Sequence, residues 1–238
     1  MHHRSTALVG ALALGASALF ASAPAASAAV PCVITSYSPR TVVIGLSPVA
    51  VNFGVSTTGC SRTGWSVDVT GTGGSGWPMW LFAYDGSPTE VLQPSLDVEN
   101  ADAGYRYDAV VEAYNSDWDT STAVFADSFV VKRRTYFSAF NATPEPVYKG
   151  KPITVAATLR MADWNNNRYV AVQYGTVNVQ FERAGSSTWT TIKTVRASST
   201  GYVRTTATAG YDGSWRLQYG GSSWRGGSTS SSDYVDVR

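Results

Sequence analysis

Apolar residues recur at every second position along much of this chain. In the run Val49 to Val55 the apolar side chains Val49, Val51, Phe53 and Val55 alternate, the pattern of a strand with one buried and one wet face. Short runs of the same kind cover Val33–Tyr37, Trp65–Val69, Met79–Tyr84, Tyr105–Tyr114 and Ala123–Val131, and no stretch between Cys32 and Val131 has a helical period. The segment Thr70 to Gly76 (TGTGGSG) is too glycine-rich for a strand and is predicted to be a mobile loop.

A second block has cleaner alternation. It predicts strands at Ile153–Leu159, Tyr169–Gln173, Val177–Phe181, Trp189–Val195, Tyr202–Thr208, Ser214–Tyr219 and Tyr234–Val237. Turn signals at Gly185-Ser186, Ser199-Thr200-Gly201, Asp212-Gly213 and Gly220-Gly221 separate them. Seven short strands in about a hundred residues predict an Ig-like sandwich. The basic triplet Lys132-Arg133-Arg134 closes the first block, and Pro144, Pro146 and Pro152 open the second with extended or edge conformations. The fold predicted is therefore all-β, with two tandem Ig-like β-sandwich domains over residues 29–134 and 135–238. The triplet is read as keeping the junction solvated, with a ligand patch as the alternative.

Ahead of both blocks the chain changes character. A basic start at His2, His3 and Arg4, an apolar stretch from Ala7 to Phe20 and the small-residue run Ala26-Ser27-Ala28 have the order of a secretory signal peptide. Cleavage is expected after Ala28, with Ala21-Ser22-Ala23 as the second choice. The apolar stretch falls short of the roughly 20 residues that span a bilayer, and no later segment reaches that length. A secreted, extracellular chain with no transmembrane segment after cleavage follows. The full sequence carries 18 basic and 17 acidic residues, and loss of Arg4 leaves 17 of each. That balance gives no electrostatic footprint for nucleic acid.

Export changes the reading of the two cysteines. Cys32 and Cys60 enter an oxidising compartment and are expected to form one disulfide, which on the loop-entropy account contributes roughly 3–4 kcal/mol. Export also removes both histidines, so the mature chain can build neither a Ser-His-Asp or Cys-His hydrolase nor a His-ligated zinc site. It has no GxxxxGK[ST] phosphate loop. Carboxylate chemistry is what remains, with Asp97, Glu99 and Asp102 close together on one polar stretch, where a structural or solvated role is the ordinary alternative.

Two further constellations bear on binding. Oxygen ligands alternate in Asn115-x-Asp117-x-Asp119-x-Ser121 and in Asp163-x-Asn165-x-Asn167, a spacing that can converge on Ca²⁺ when a loop curls. Neither has the glycine or the terminal glutamate of an EF-hand, and Asx capping of tight turns is the competing explanation. No cofactor is required, and calcium at Asn115, Asp117, Asp119 and Ser121 is the one the residues admit. Loop tryptophans form the other set: Trp77, Trp80, Trp118, Trp164 and Trp224 are candidate contacts for an extracellular protein or an envelope polysaccharide. Trp215, in an alternating strand, is assigned to the core.

The second block, with Phe140, Pro144-Glu145-Pro146-Val147, Lys149-Gly150, Val177-Asn178-Val179-Gln180-Phe181, Thr191-Ile192-Lys193-Thr194-Val195 and Trp215-Arg216-Leu217-Gln218-Tyr219-Gly220-Gly221, resembles the C-terminal domain of secreted actinobacterial proteins. The first block, with Ser38-Pro39-Arg40-Thr41-Val42-Val43 and Val111-Glu112-Ala113-Tyr114-Asn115-Ser116-Asp117, resembles their N-terminal domain. The resemblance implies tandem Ig-like domains and export, and some members carry calcium-binding labels. The function expected is a non-enzymatic binding or structural module outside the cell or at its envelope, with loops at the sandwich ends as the contact surface. A calcium-binding extracellular protein is the alternative, and a carboxylate-dependent glycan hydrolase a distant third.

Overall fold

The structure is a computed structural model that describes residues 31–60, 64–114 and 121–238, with only the backbone at Ser121 and Thr122. The expected signal peptide, 1–28, lies outside the described residues, and Pro31–Arg238 is one compact unit. No helix among the described residues is long and apolar enough to cross a membrane.

The first sandwich comprises β1 (Val33–Ser38), β2 (Thr41–Ile44), β3 (Val49–Asn52), β4 (Gly54–Thr58), β5 (Gly64–Thr72), β6 (Pro78–Tyr84), β7 (Thr89–Leu92), β8 (Arg106–Tyr114) and β9 (Ser121–Arg133). One layer has the order β2-β9-β8-β5-β6, antiparallel except for the parallel pair β2–β9. The facing layer pairs β1 with β4 and β3 with β7. The run predicted as one strand over Val49–Val55 breaks at Phe53, whose N–H turns aside to donate to Pro88 O (2.7 Å). The predicted glycine loop is shorter than expected, because β5 continues through Thr72 before turning at Gly73. Alternation is strict on β6, where Met79, Leu81 and Ala83 point inward.

At the corner before β8 runs Asp102-Ala103-Gly104-Tyr105-Arg106-Tyr107. Tyr107 is buried beside the Asp102 carboxylate, and burial together with that charge pushes its phenol pKa well up. Asp102 in turn accepts from Ser75 N (3.0 Å), Ser75 Oγ (2.8 Å) and Glu99 N (2.7 Å), which pins the one-turn 3₁₀ segment Asn100–Asp102. Tyr107 stands near the start of β8, as the tyrosine of a tyrosine corner does, but its buried hydroxyl has no hydrogen-bond partner, so the bond to the backbone that defines that corner is not made. Two residues on, where antibody domains place an inter-sheet cysteine, stands Ala109. The disulfide is instead Cys32–Cys60, as expected from export, and it lies at the end of the β1–β4 pair within one layer.

The second sandwich comprises β10 (Thr135–Thr143), β11 (Pro152–Asp163), β12 (Arg168–Ala171), β13 (Thr176–Arg183), β14 (Thr190–Arg196), β15 (Tyr202–Thr208), β16 (Gly213–Tyr219), β17 (Ser228–Thr229) and β18 (Asp233–Val235). β10, β11 and β15 form one layer, with β12 on the far end of β11. β14, β13 and β16 form the other, with β17 and β18 along the edge of β16. The protein is thus all-β, two β-sandwiches in tandem.

Each sandwich has its own hydrophobic cluster, but they are not built alike. The first runs from Ile34 to Val131 and also takes in Ala162 and Trp164. The second runs from Ala142 to Val235, with Trp215 in it as assigned.

Candidate binding surface

Of the five tryptophans expected at the surface, the structure keeps two there. Trp77 and Trp80 are 66% and 74% exposed. Trp118 lies outside the described residues. Trp164 is a correction: it is 1% exposed, seated in the first sandwich's core, and its indole N–H donates to Ile44 O (3.3 Å). Of its polar neighbours only Asp163 is buried, while Asn165, Asn166, Asn167 and Arg168 stay exposed, and that polar run is why the turn looked wholly solvated. Trp224 is half-buried, stacked against the guanidinium groups of Arg225 (3.8 Å to the ring centroid) and Arg133 (5.7 Å). Gly104 permits this approach, because a side chain there would put a Cβ 2.7 Å from Trp224 Cβ.

In the loop Asp163-x-Asn165-x-Asn167, Asp163 and Asn165 spend side-chain oxygens on Asn100 of the first sandwich and on the loop's own Asn166. Asp163 Oδ1 accepts from Asn100 Nδ2 (2.6 Å) and Oδ2 from Asn166 Nδ2 (3.0 Å), while Asn165 Oδ1 accepts from Asn100 N (2.7 Å) and Asn100 Oδ1 from Trp164 N (2.9 Å). Burial works to raise the Asp163 pKa, but the amide donors and the Arg133 charge prevail and hold it below the ordinary carboxyl range. The other alternating set, Asn115, Asp117, Asp119 and Ser121, falls at residues outside the description apart from the Ser121 backbone. Among the described residues no group of His, Cys, Asp and Glu is arranged to hold a metal.

Asp97, Glu99 and Asp102 do line one pocket, of about 160 Å³, together with Trp77. Asp97 is occupied by Gln93 N (2.7 Å), Asp102 by its three donors, and Glu99 by Asn165 Nδ2 (3.4 Å). These contacts fix loops.

The basic triplet is split three ways. Arg133 turns inward, its Nε bonded to Ala162 O under Trp224; Arg134 is exposed; Lys132 reaches out along the sheet to Ser222 O (2.9 Å).

A row of exposed aromatics was only partly read from sequence, which singled out Trp80 but not Phe82 or Tyr84. Outward from β6 point Trp80, Phe82 and Tyr84, the last two 51% and 44% exposed, with Phe82 and Tyr84 centroids 6.0 Å apart. β6 is an edge strand, so the row ends the sheet. The register sets Thr70 and Asp108 beside Trp80, Asp68 and Val110 beside Phe82, and Ser66 and Glu112 beside Tyr84. At the end of that face Tyr114 Oη donates to Glu112 Oε2 (2.5 Å) and lies 3.2 Å from Ser66 Oγ. Around the edge, a groove of about 320 Å³ runs between β6 and β7 past Trp80, Val91 and Leu96. Both parities of Met79–Tyr84 are apolar, and that absence of a polar face is the signal that could have pointed here.

No protein-family model and no curated protein matches the chain. Among solved structures it is similar to the D0–D1 domain of intimin (15% identity, TM-score 0.30, over 85% of this chain and 98% of that one). It is also similar to the FN1–FN3 domains of chicken CNTN1 (10%, 0.39, over 87% and 67%). A third is a protein of Thermotoga maritima provisionally named a superoxide reductase (14%, 0.32, over 45% and 87%). All three scores lie below 0.5, so the functional argument rests on this chain's own residues.

Proposed function

We propose that this protein is an exported, non-enzymatic binding module that holds an extracellular polysaccharide on the outer face of the β2-β9-β8-β5-β6 sheet. The observation that carries this reading is the exposed aromatic row Trp80, Phe82 and Tyr84 on an edge strand, with carboxylates and hydroxyls on the strands beside it. A pyranose ring offers C–H groups on its faces and hydroxyls around its rim. Flat aromatic surfaces take the faces, and Asp68, Asp108 and Thr70 supply acceptors for the rim. Monomeric proteins seldom leave so much contiguous apolar surface uncovered without a partner for it, and aromatic side chains bury large area at small rotamer cost. The contact surface is then the sheet face rather than the loop ends expected from sequence.

The test is binding of the purified chain to an array of extracellular polysaccharides, followed by titration of tryptophan fluorescence on the best ligand. Trp80→Ala with Phe82→Ala should weaken binding at least a hundredfold while leaving the melting temperature unchanged, because neither side chain is in the core. Equal binding by the double variant, or retention of an extracellular protein instead of any glycan, refutes the reading.

A further inference from the structure

On the same sheet face, at the β2 side, lies a concavity of about 390 Å³ lined by Arg40, Thr41, Arg106, Ser128, Lys132 and Ser223, with Asp127. Its cations come from three separate places: the β1–β2 turn, β8 and β9. The register explains why they meet. Arg106 lies across from Val130 and Val130 from Thr41, while Ser128 and Lys132 stand two residues either side of Val130 on the same outward face. Asp127 is engaged by Arg40 at 2.8 Å. Arg40 is further held over the rings of Tyr37 (5.5 Å) and Phe125 (5.7 Å).

That leaves Arg106 and Lys132 with no carboxylate partner among the lining residues. Each is anchored by one hydrogen bond, Arg106 Nη1 to Ser128 Oγ (2.9 Å) and Lys132 Nζ to Ser222 O (2.9 Å). A guanidinium has five N–H donors and an ammonium three, so both retain donors to offer. Two positive charges brought into one concavity repel each other, and an anion between them relieves that while gaining charge-assisted hydrogen bonds. Another acid on this face, Asp108, stands across from Ser128 and two residues along β8 from Arg106, toward the aromatic side, and does not line the concavity. The concavity is of the size that takes small ligand groups. On the ~4.8 Å spacing of strands, β6 and β9 are roughly 14 Å apart, a reach of a few sugar units across the sheet.

We infer that this pocket binds an acidic group, a carboxylate or a phosphate, carried by the polysaccharide that crosses the aromatic row. The inference rests on the reading above for its polymer, and on the pocket alone for its charge. The ligand is then an acidic glycan, gripped by its sugar faces at β6 and by its charge at Arg106 and Lys132.

The two parts are separable. Amide chemical shifts of the full mature chain are followed with glucuronate, glucose 6-phosphate and glucose as probes at matched ionic strength. The acidic sugars should move Thr41, Arg106, Ser128 and Lys132, and glucose should not; the stronger of the two acids identifies the group. Arg106→Gln with Lys132→Gln should weaken that response at least tenfold with no change in melting temperature. Polygalacturonate should bind at least tenfold more tightly than its methyl-esterified form, and the difference should collapse in the double variant. Equal affinity for the two polymers overturns the acidic-group inference and leaves the aromatic reading standing. Glucuronate seated in the pocket with neither polymer retained does the reverse. Shifts that sodium chloride reproduces at the same ionic strength overturn the pocket itself.

Discussion

The core of the first sandwich is completed by Ala162 and Trp164, which the chain delivers from the end of β11 and its turn, whereas among the described residues the core of the second draws on none before Thr135. Both have short strands, but in the first the layer opposite the five-stranded sheet is split into two separate pairs. In the second, β11 alone pairs with β10, β12 and β15. The comparison teaches that tandem sandwiches need not be equals. Here the one that carries the candidate binding face leans on its neighbour and on a disulfide.

The sharpest way to break this asymmetry is Trp164→Ala. Truncating a fully buried tryptophan costs about 3–5 kcal/mol, and the loss should be read in the first sandwich. Hydrogen exchange should show the amides of β2, β5 and β8 losing protection while those of β13 and β16 keep theirs. Equal loss in both halves would mean that the two cores act as one.

A slightly smaller effect is expected from Cys32→Ser with Cys60→Ser. Releasing a loop of 28 residues' separation costs roughly 3–4 kcal/mol on the entropy account. Thermal melting should fall by about 6–16 °C at roughly 2–4 °C per kcal/mol, again in the first sandwich.

How far the sequence alone led differs between the halves for the same reason. Most long strands of the second block were legible because they alternate several times, and Tyr202–Thr208 was placed to the residue; the nine-residue β10 was not predicted, its alternation being broken by the irregularity between Ser138 and Asn141. β2 and β7 were not, since four residues show barely two alternations and register with distant partners decides them. Trp164 lay beyond reach for another cause. Its hydrogen-bond partner Ile44 is 120 residues away, and its flanking Asp163, Asn165 and Asn166 are the residues of a solvated turn until Asn100 is brought beside them. The aromatic row was half seen: Trp80 through its loop-like neighbours, Phe82 and Tyr84 not at all.

Asp163→Asn sharpens the comparison at the contact itself. The new amide would set a donor against Asn166 Nδ2, at a cost of about 1–3 kcal/mol for the unsatisfied buried group. The native carboxyl's pKa is lowered on folding, so its contribution is complete above the ordinary carboxyl value and is lost as pH falls through the lowered one. Acid titration of melting should therefore be steeper in the native chain than in the variant below about pH 4. A parallel pair of curves would show that Asp163 does not titrate with the junction.

The smallest effect concerns calcium. If Asn115, Asp117, Asp119 and Ser121 take the ion at the weak affinity of extracellular modules, about 10⁻⁴ to 10⁻³ M, then a hundredfold excess adds about 2.7 kcal/mol and less calcium adds less. The gain should be selective over magnesium, confined to the first sandwich, and absent in Asp117→Ala with Asp119→Ala. Identical melting with and without calcium leaves these residues as turn caps.

Only Arg134 separates β9 from β10, and the backbone on either side of it is fully engaged. Arg134 N donates to Ile44 O (2.7 Å) and Arg134 O accepts from Ala162 N (2.9 Å), while Arg133 N donates to Trp224 O (3.1 Å) and Arg133 O accepts from Gly226 N (2.9 Å). Neighbouring domains ordinarily swivel about such a connection. With these four bonds in place the joint has no free torsion to turn about, so the pair behaves as a cantilever. The first sandwich would then keep its aromatic face at a fixed angle to the second, and a pull on whatever that face holds would be met as bending of a stiff beam rather than as slack in a tether.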